Sequence, residues 1–132
     1  MNIIVCCKQV IDPEAPPASF KVDPATNKAV PPPGVPPVIS PFDESAVEAA
    51  LRVKDAKGGK ITALSLGINL LRDVVKKPLS MGADELVLLE DPAFADGDNF
   101  STAYALSLAI KKIRALPALS SGFQGCSCFE FP

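Results

Sequence analysis

The chain has 132 residues, 48% of them apolar and 21% charged, with a net charge of −2. That describes a globular chain of one domain or part of one, with no general attraction to nucleic acid or anionic lipid. Histidine is absent, which removes Ser-His-Asp and Cys-His chemistry and imidazole-bound metals.

The first element is NIIVCC (2–7), a continuous apolar run rich in β-branched residues. It reads as a strand buried on both faces. Adjacent strand residues point to opposite faces, so Cys6 and Cys7 cannot readily grip one metal. Residues 10–41 hold ten of the fourteen prolines. Within them FKVD (20–23), a turn at PATN and KAV (28–30) predict a short hairpin. The remainder reads as a surface excursion, with Phe20 and Val22 offering something to pack.

The stretch DESAVEAALRVKDAK (43–57) predicts a helix with Val47, Ala50, Leu51 and Lys54 at helical spacing. Its acids lie at the start and its bases near the end, as the helix dipole favours. Before it, Ser40, Pro41 and Asp43 form a capping-box pattern with proline at the first helical position. Asp43 already supplies negative charge there, which argues against a phosphate on this terminus.

ITALSL (61–66) and ELVLLE (85–90) read as further buried strands. INLLRDVVKKPLSMG (68–82), between them, predicts a helix that Pro78 should kink or shorten. Gly67 would let a ligand approach the backbone where β-strand gives way to helix. ADGDN (95–99) reads as a polar turn into a helix over 100–113. That helix would be capped by Asn99, with Phe100, Ala103, Leu106, Ile110 and Ile113 on one face.

The alternation of strand and helix predicts an α/β fold: an open, mostly parallel sheet with helices on both faces. Ligands in such sheets bind at the C-terminal ends of the strands, where Lys8 and Asp12 fall. Neither G-x-G-x-x-G nor a P-loop is present. After Ile113 the pattern fails, and 114–132 reads as an irregular tail. Its Cys126-Ser127-Cys128 lacks the C-x-x-C spacing of common zinc and redox sites, so no metal is assigned.

Taken together, VCCKQVID (5–12), FKVDPATNKAV (20–30), ISPFDESAVEAALRVKD (39–55), ITALSLG (61–67), SMGADELVLLED (80–91) and FSTAYALSLAIKKI (100–113) resemble the beta subunit of electron transfer flavoprotein. The resemblance covers residues 1 to about 113, and only about the N-terminal half of the family's usual length. It implies a Rossmann-like, adenine-nucleotide-binding fold that holds AMP, or a second FAD in electron-bifurcating members. It implies an electron carrier rather than an enzyme. The expected partners are an alpha subunit and flavin-dependent dehydrogenases such as acyl-CoA dehydrogenases. The family's positions at Cys6, Ser40, Pro41, Phe42, Asp43 and Leu66 line or neighbour the adenine nucleotide, largely through backbone. Gly67 joins them from its place after the strand. Ser40 stands where the family usually has asparagine.

The family continues into a fourth strand and a G-[RK]-Q-A-I-D-G-D-T phosphate loop, and neither follows Ile113. The expectation is therefore an incomplete nucleotide-binding domain over 1–113 that binds AMP or FAD weakly or not at all. Its first strand would become a flat apolar edge open to self-association. The tail's phenylalanines would offer some cover. Two alternatives stay open: a stand-alone adenine-nucleotide module of the universal-stress-protein sort, and a non-catalytic interaction protein. With no signal-like start and no apolar run to span a bilayer, a cytoplasmic setting without membrane insertion is expected.

Overall fold

Three parallel strands carry the architecture. In the computed structural model of the chain, which describes residues 1–115, β1 (Asn2–Cys6) pairs with Lys60–Gly67, and that long strand pairs in turn with Glu85–Glu90. Counting in chain order, the latter two are β6 and β7, and the sheet runs β1-β6-β7. Cys6 lies opposite Leu64, and Leu66 opposite Leu89. Among the described residues β1 therefore ends the sheet, as expected.

Before β6 the chain makes two antiparallel ribbons. β3 (Lys21–Asp23) and β4 (Lys28–Val30) form the predicted hairpin. Asp23 fixes its turn, accepting from the Ala25 N–H at 3.0 Å and the Thr26 hydroxyl at 2.7 Å, while Asn27 takes a positive φ of 53°. Phe20 and Val22 are 42% and 65% exposed, so they do not supply the packing expected of them. The second ribbon, β2 (Gln9–Val10) with β5 (Val38–Ile39), was not anticipated. It closes the base of the proline-rich excursion, and its Ile39 enters the core.

The helix α1 (Pro41–Lys57) packs on β1 and β6. Its Val47 and Ala50 join Ile3, Val5, Cys7, Ile61 and Ala63 in one apolar cluster. Each fully buried aliphatic here contributes about 1.5–3 kcal/mol by leaving water. On the sheet's other face Ile4, Thr62 and Leu64 are also buried, which explains the continuous apolar runs of β1 and β6. β7 differs: Glu85 to Leu89 are half-buried and Glu90 is exposed, because α1 packs over β1 and β6 while β7 meets chiefly the short helix Lys77–Met81.

Gly58 and Gly59 turn α1 into β6. Gly59 has φ 130°, and a Cβ there would lie 2.2 Å from the Met1 carbonyl oxygen, which accepts the Lys60 N–H. At this N-terminal end of the sheet, Asp84 accepts from the Ile61 N–H and from Lys54 Nζ, both at 2.7 Å. Burial works against ionisation of Asp84, but the Ile61 N–H and the Lys54 ammonium outweigh it and hold the carboxyl below its ordinary range. The M-G-A-D run is thus a structural latch.

The single helix expected over 68–82 is instead two short ones, α2 (Arg72–Val75) and α3 (Lys77–Met81). Pro78 has no N–H to continue the ladder, and the chain breaks at Lys76 just before it. The last helix, α4 (Asn99–Ala115), is capped by Asp98 rather than Asn99: the Asp98 carboxylate accepts the Ser101 N–H at 2.7 Å. Phe100 and Ala103 leave the expected apolar face and are exposed. The helix runs two residues beyond Ile113. The Cys126 and Cys128 pair, and the expected cover by tail phenylalanines, lie outside the described residues.

Candidate functional site

The C-terminal ends of β1 and β6 gather most of the residues singled out from the sequence. Cys7, the first residue after β1, donates its N–H to the Leu64 carbonyl at 2.6 Å. Cys6 faces the opposite way, on the sheet face shared with Leu64 and Leu66. Lys8 is then held at both backbone atoms. Its N–H donates to Asp43 Oδ2 at 2.7 Å, and its carbonyl accepts from the Ser40 N–H at 2.9 Å. The end of β1 and the start of α1 are joined by this two-bond clamp.

The clamp changes the meaning of the capping pattern. Ser40 does occupy the N-cap position and Pro41 the first helical one, but the Ser40 side chain makes no cap bond. The Ser40 carbonyl accepts the N–H groups of Asp43 and Glu44 at 2.9 and 3.1 Å. Asp43, instead of bonding back to Ser40, spends an oxygen on Lys8. With Pro41 lacking an N–H and a carboxylate in the first turn, this terminus does not fit a phosphate. A neutral group such as a nucleoside meets no such penalty. Phe42 is 87% exposed beside it.

Gly67 ends β6 without a positive φ, and its Cα side is occupied: a Cβ would meet Leu70 Cδ2 at 3.1 Å. A side chain here would press on a methyl of Leu70 in the following loop, and that methyl would have to shift by a few tenths of an ångström. That loop is fastened by two residues the sequence reasoning did not select. Gln9 accepts the Leu71 N–H at 2.9 Å and donates to the Asn69 carbonyl at 3.4 Å. Glu90, at the end of β7, accepts the Leu70 N–H at 2.9 Å and pairs with Arg72 at 3.0 Å. The only sequence signal was position: Glu90 ends β7, and Gln9 follows shortly after β1. Asp12, singled out by that same rule, closes a local turn by accepting the Glu14 N–H.

Cys7 is no nucleophile. Its burial, reinforced by Asp43, Cys6 and Glu44, pushes the thiol up to about 12. Two open clefts flank the region. One of about 250 Å³ lies between Ile68, Asn69 and the Glu90–Pro92 segment. The other, about 450 Å³, lies between β5 and α2–α3 and includes Ile39, Val74 and Lys77. Neither is lined by Cys6, Ser40, Pro41, Phe42, Asp43, Leu66 or Gly67. The described part of the predicted site is thus a ledge at the sheet's edge rather than an enclosed cavity.

The chain is similar to known proteins over most of its length. The family described as electron transfer flavoprotein domain matches residues 33–119. The chain belongs to the electron transfer flavoprotein family. It is 46% identical over 116 residues to the electron transfer flavoprotein subunit beta of Megasphaera elsdenii, covering 87% of this chain and 41% of that protein. To the protein FixA of Azorhizobium caulinodans it is 44% identical over 113 residues, covering 86% and 38%. To the electron transfer flavoprotein subunit beta of Thermoanaerobacterium thermosaccharolyticum it is 43% identical over 114 residues, covering 86% and 42%. The chain is therefore electron transfer flavoprotein beta-like, and spans about two fifths of the length of the curated relatives it matches. No helix among its described residues is long and apolar enough to cross a membrane.

Proposed function

We propose that the chain is the adenosine-holding part of an electron transfer flavoprotein beta subunit, acting in the cytoplasm as a carrier component rather than a catalyst. Its partner would be an alpha subunit, and its electron donors flavin-dependent dehydrogenases such as acyl-CoA dehydrogenases. The observation that carries the reading is the clamp that seats the start of α1 on the end of β1, in a chain of this family. It builds a hydrogen-bonded ledge at the strand ends, where such sheets receive nucleotides.

On this reading the Cys6 and Leu66 side chains and the Gly67 backbone would lie against the adenosine of AMP or of FAD. The Ser40–Pro41–Phe42 backbone would close one side, and the Phe42 ring offers a flat apolar surface. Asp43 acts indirectly, by fixing Lys8 and the helix start. A bound flavin would supply the one- and two-electron chemistry; this chain's residues would bind and orient the adenosine portion. Because the α1 terminus rejects phosphate, these residues should recognise the nucleoside more than its charge.

Calorimetric titration of the 132-residue chain with adenosine and with AMP tests this. Both should bind weakly, with dissociation constants on the order of 1 mM. They should agree within about threefold, well under the 1.4 kcal/mol of a tenfold preference. Tight stoichiometric binding of AMP, or a preference for AMP above about tenfold, would overturn the assignment.

A further inference from the structure

Gln9 stands where the segments that build the ledge meet. Its backbone belongs to β2, and its partner across the ribbon is Ile39, the residue before Ser40. The residue before it, Lys8, carries both bonds of the clamp to Asp43 and Ser40. The Gln9 side chain reaches the other way, to the loop after β6. There Oε1 accepts the Leu71 N–H at 2.9 Å and Nε2 donates to the Asn69 carbonyl at 3.4 Å. The bonds hold a turn that needs support: Asn69 takes a positive φ of 50°, which asparagine tolerates better than most residues.

We propose that Gln9 is a positioning residue that couples the two walls of the ledge, the Ser40–Pro41–Phe42 wall and the Leu66–Gly67 wall, and so sets its affinity for adenosine. The inference rests on the adenosine reading above. Asn69 and Leu71 are exposed, so water can replace both bonds when the amide is lost, and the fold should feel the loss little. Binding should feel it more. A loop no longer held in place must be ordered by the ligand, and that ordering cost weakens affinity.

The chemistry explains the residue type. One planar amide supplies an acceptor and a donor side by side, as the Leu71 N–H and the Asn69 carbonyl require. An ionised glutamate keeps the acceptor but turns its second oxygen on the Asn69 carbonyl. Lysine and arginine offer no acceptor. Methionine fills similar space with neither group. Glu90 is different in kind. It holds the Leu70 N–H at 2.9 Å, but from β7, the strand beside β6. It therefore fastens the loop to its own side and does not bridge the walls.

Amide hydrogen exchange and an adenosine NMR titration of the full chain test the coupling. Gln9→Met should speed exchange at Leu71 by about tenfold and at Ser40, on the other wall, by at least about threefold. Glu90→Ala should speed exchange at Leu70 and leave Ser40 unchanged. The adenosine dissociation constant should rise about fivefold in Gln9→Met, with Gln9→Glu between it and the wild type. Melting temperatures of both Gln9 variants should stay within about 5 °C of the wild type. A larger fall would make Gln9 a structural residue and overturn the proposal. So would Ser40 exchange unchanged in Gln9→Met, or an adenosine affinity within about twofold of the wild type. A wild-type chain whose amides do not shift with adenosine overturns the adenosine reading instead, and Ser40 exchange then decides the coupling by itself.

Discussion

Replacing Asp43 with alanine should destabilise the chain without touching its core. The Asp43 carboxylate accepts the Lys8 N–H at 2.7 Å across a sequence separation of 35 residues. A hydrogen bond to an ionised group contributes about 1.5–3 kcal/mol. Asp43 is half-buried and Lys8 exposed, so water can replace part of the lost bond, and the lower end of that range applies. The acid in the first turn of α1 adds about 0.3–1 kcal/mol through the helix dipole. Together these predict a loss of about 2 kcal/mol, which for a chain of this size lowers the melting temperature by roughly 6–12 °C. Asp43→Asn keeps an oxygen acceptor but loses the charge, and should cost about half as much. Thermal unfolding followed by circular dichroism reads both variants. If Asp43→Ala melts within about 1 °C of the wild type, the clamp does not hold α1 to β1 and the account of the ledge fails.

Other parts of the molecule make separate predictions. The Cys7 thiol, pushed up from 9.0 to about 12 by burial, should resist alkylation in the folded chain at neutral pH. Because its folded pKa lies above the unfolded one, the unfolded chain alone loses this proton above pH 9. Stability should therefore fall from about pH 9 toward about pH 12, and Cys7→Ala should flatten that slope in urea midpoints. For Asp84, whose folded pKa is depressed, the sign reverses: its contribution is present above the ordinary carboxylate range and is lost as pH falls through the lowered value. Asp84→Asn should be less stable than wild type at pH 7, with the difference closing in acid, as measured by denaturant midpoints. Gln9→Ala should speed hydrogen exchange at the Leu71 amide, and Glu90→Ala at the Leu70 amide, each by about tenfold or more. Exchange unchanged in both would mean that the loop is held by other contacts.

The strands were legible because their signal is intrinsic. Ile3, Ile4, Val5 and the 61–65 run are buried on both faces, and a continuous apolar run is what such a strand must look like. The start of α1 was legible in place but not in mechanism. Ser-Pro-x-Asp marks a helix terminus, yet nothing local says that Asp43 will reach Lys8 rather than Ser40. The same limit applies to α4, where Asp98 and Asn99 are both good caps and tertiary placement decides between them. Pro78 announced a fault in the helix over 68–82. That the fault splits it at Lys76 depends also on Gln9 and Glu90 pinning residues 69–72, contacts made 18 to 62 positions away in sequence. The ribbon of β2 with β5 was invisible for the same reason: two residues from each side carry no period.

The most direct measurement is an amide NMR titration of the full chain with adenosine. The account predicts fast-exchange shifts that saturate together at Cys6, Phe42, Leu66 and Gly67, with α3 and the N-terminal end of the sheet around Lys54, Ile61 and Asp84 unmoved. Shifts confined to the cleft beside Asp91, to the groove at Val74 and Lys77, or absent altogether, would contradict it.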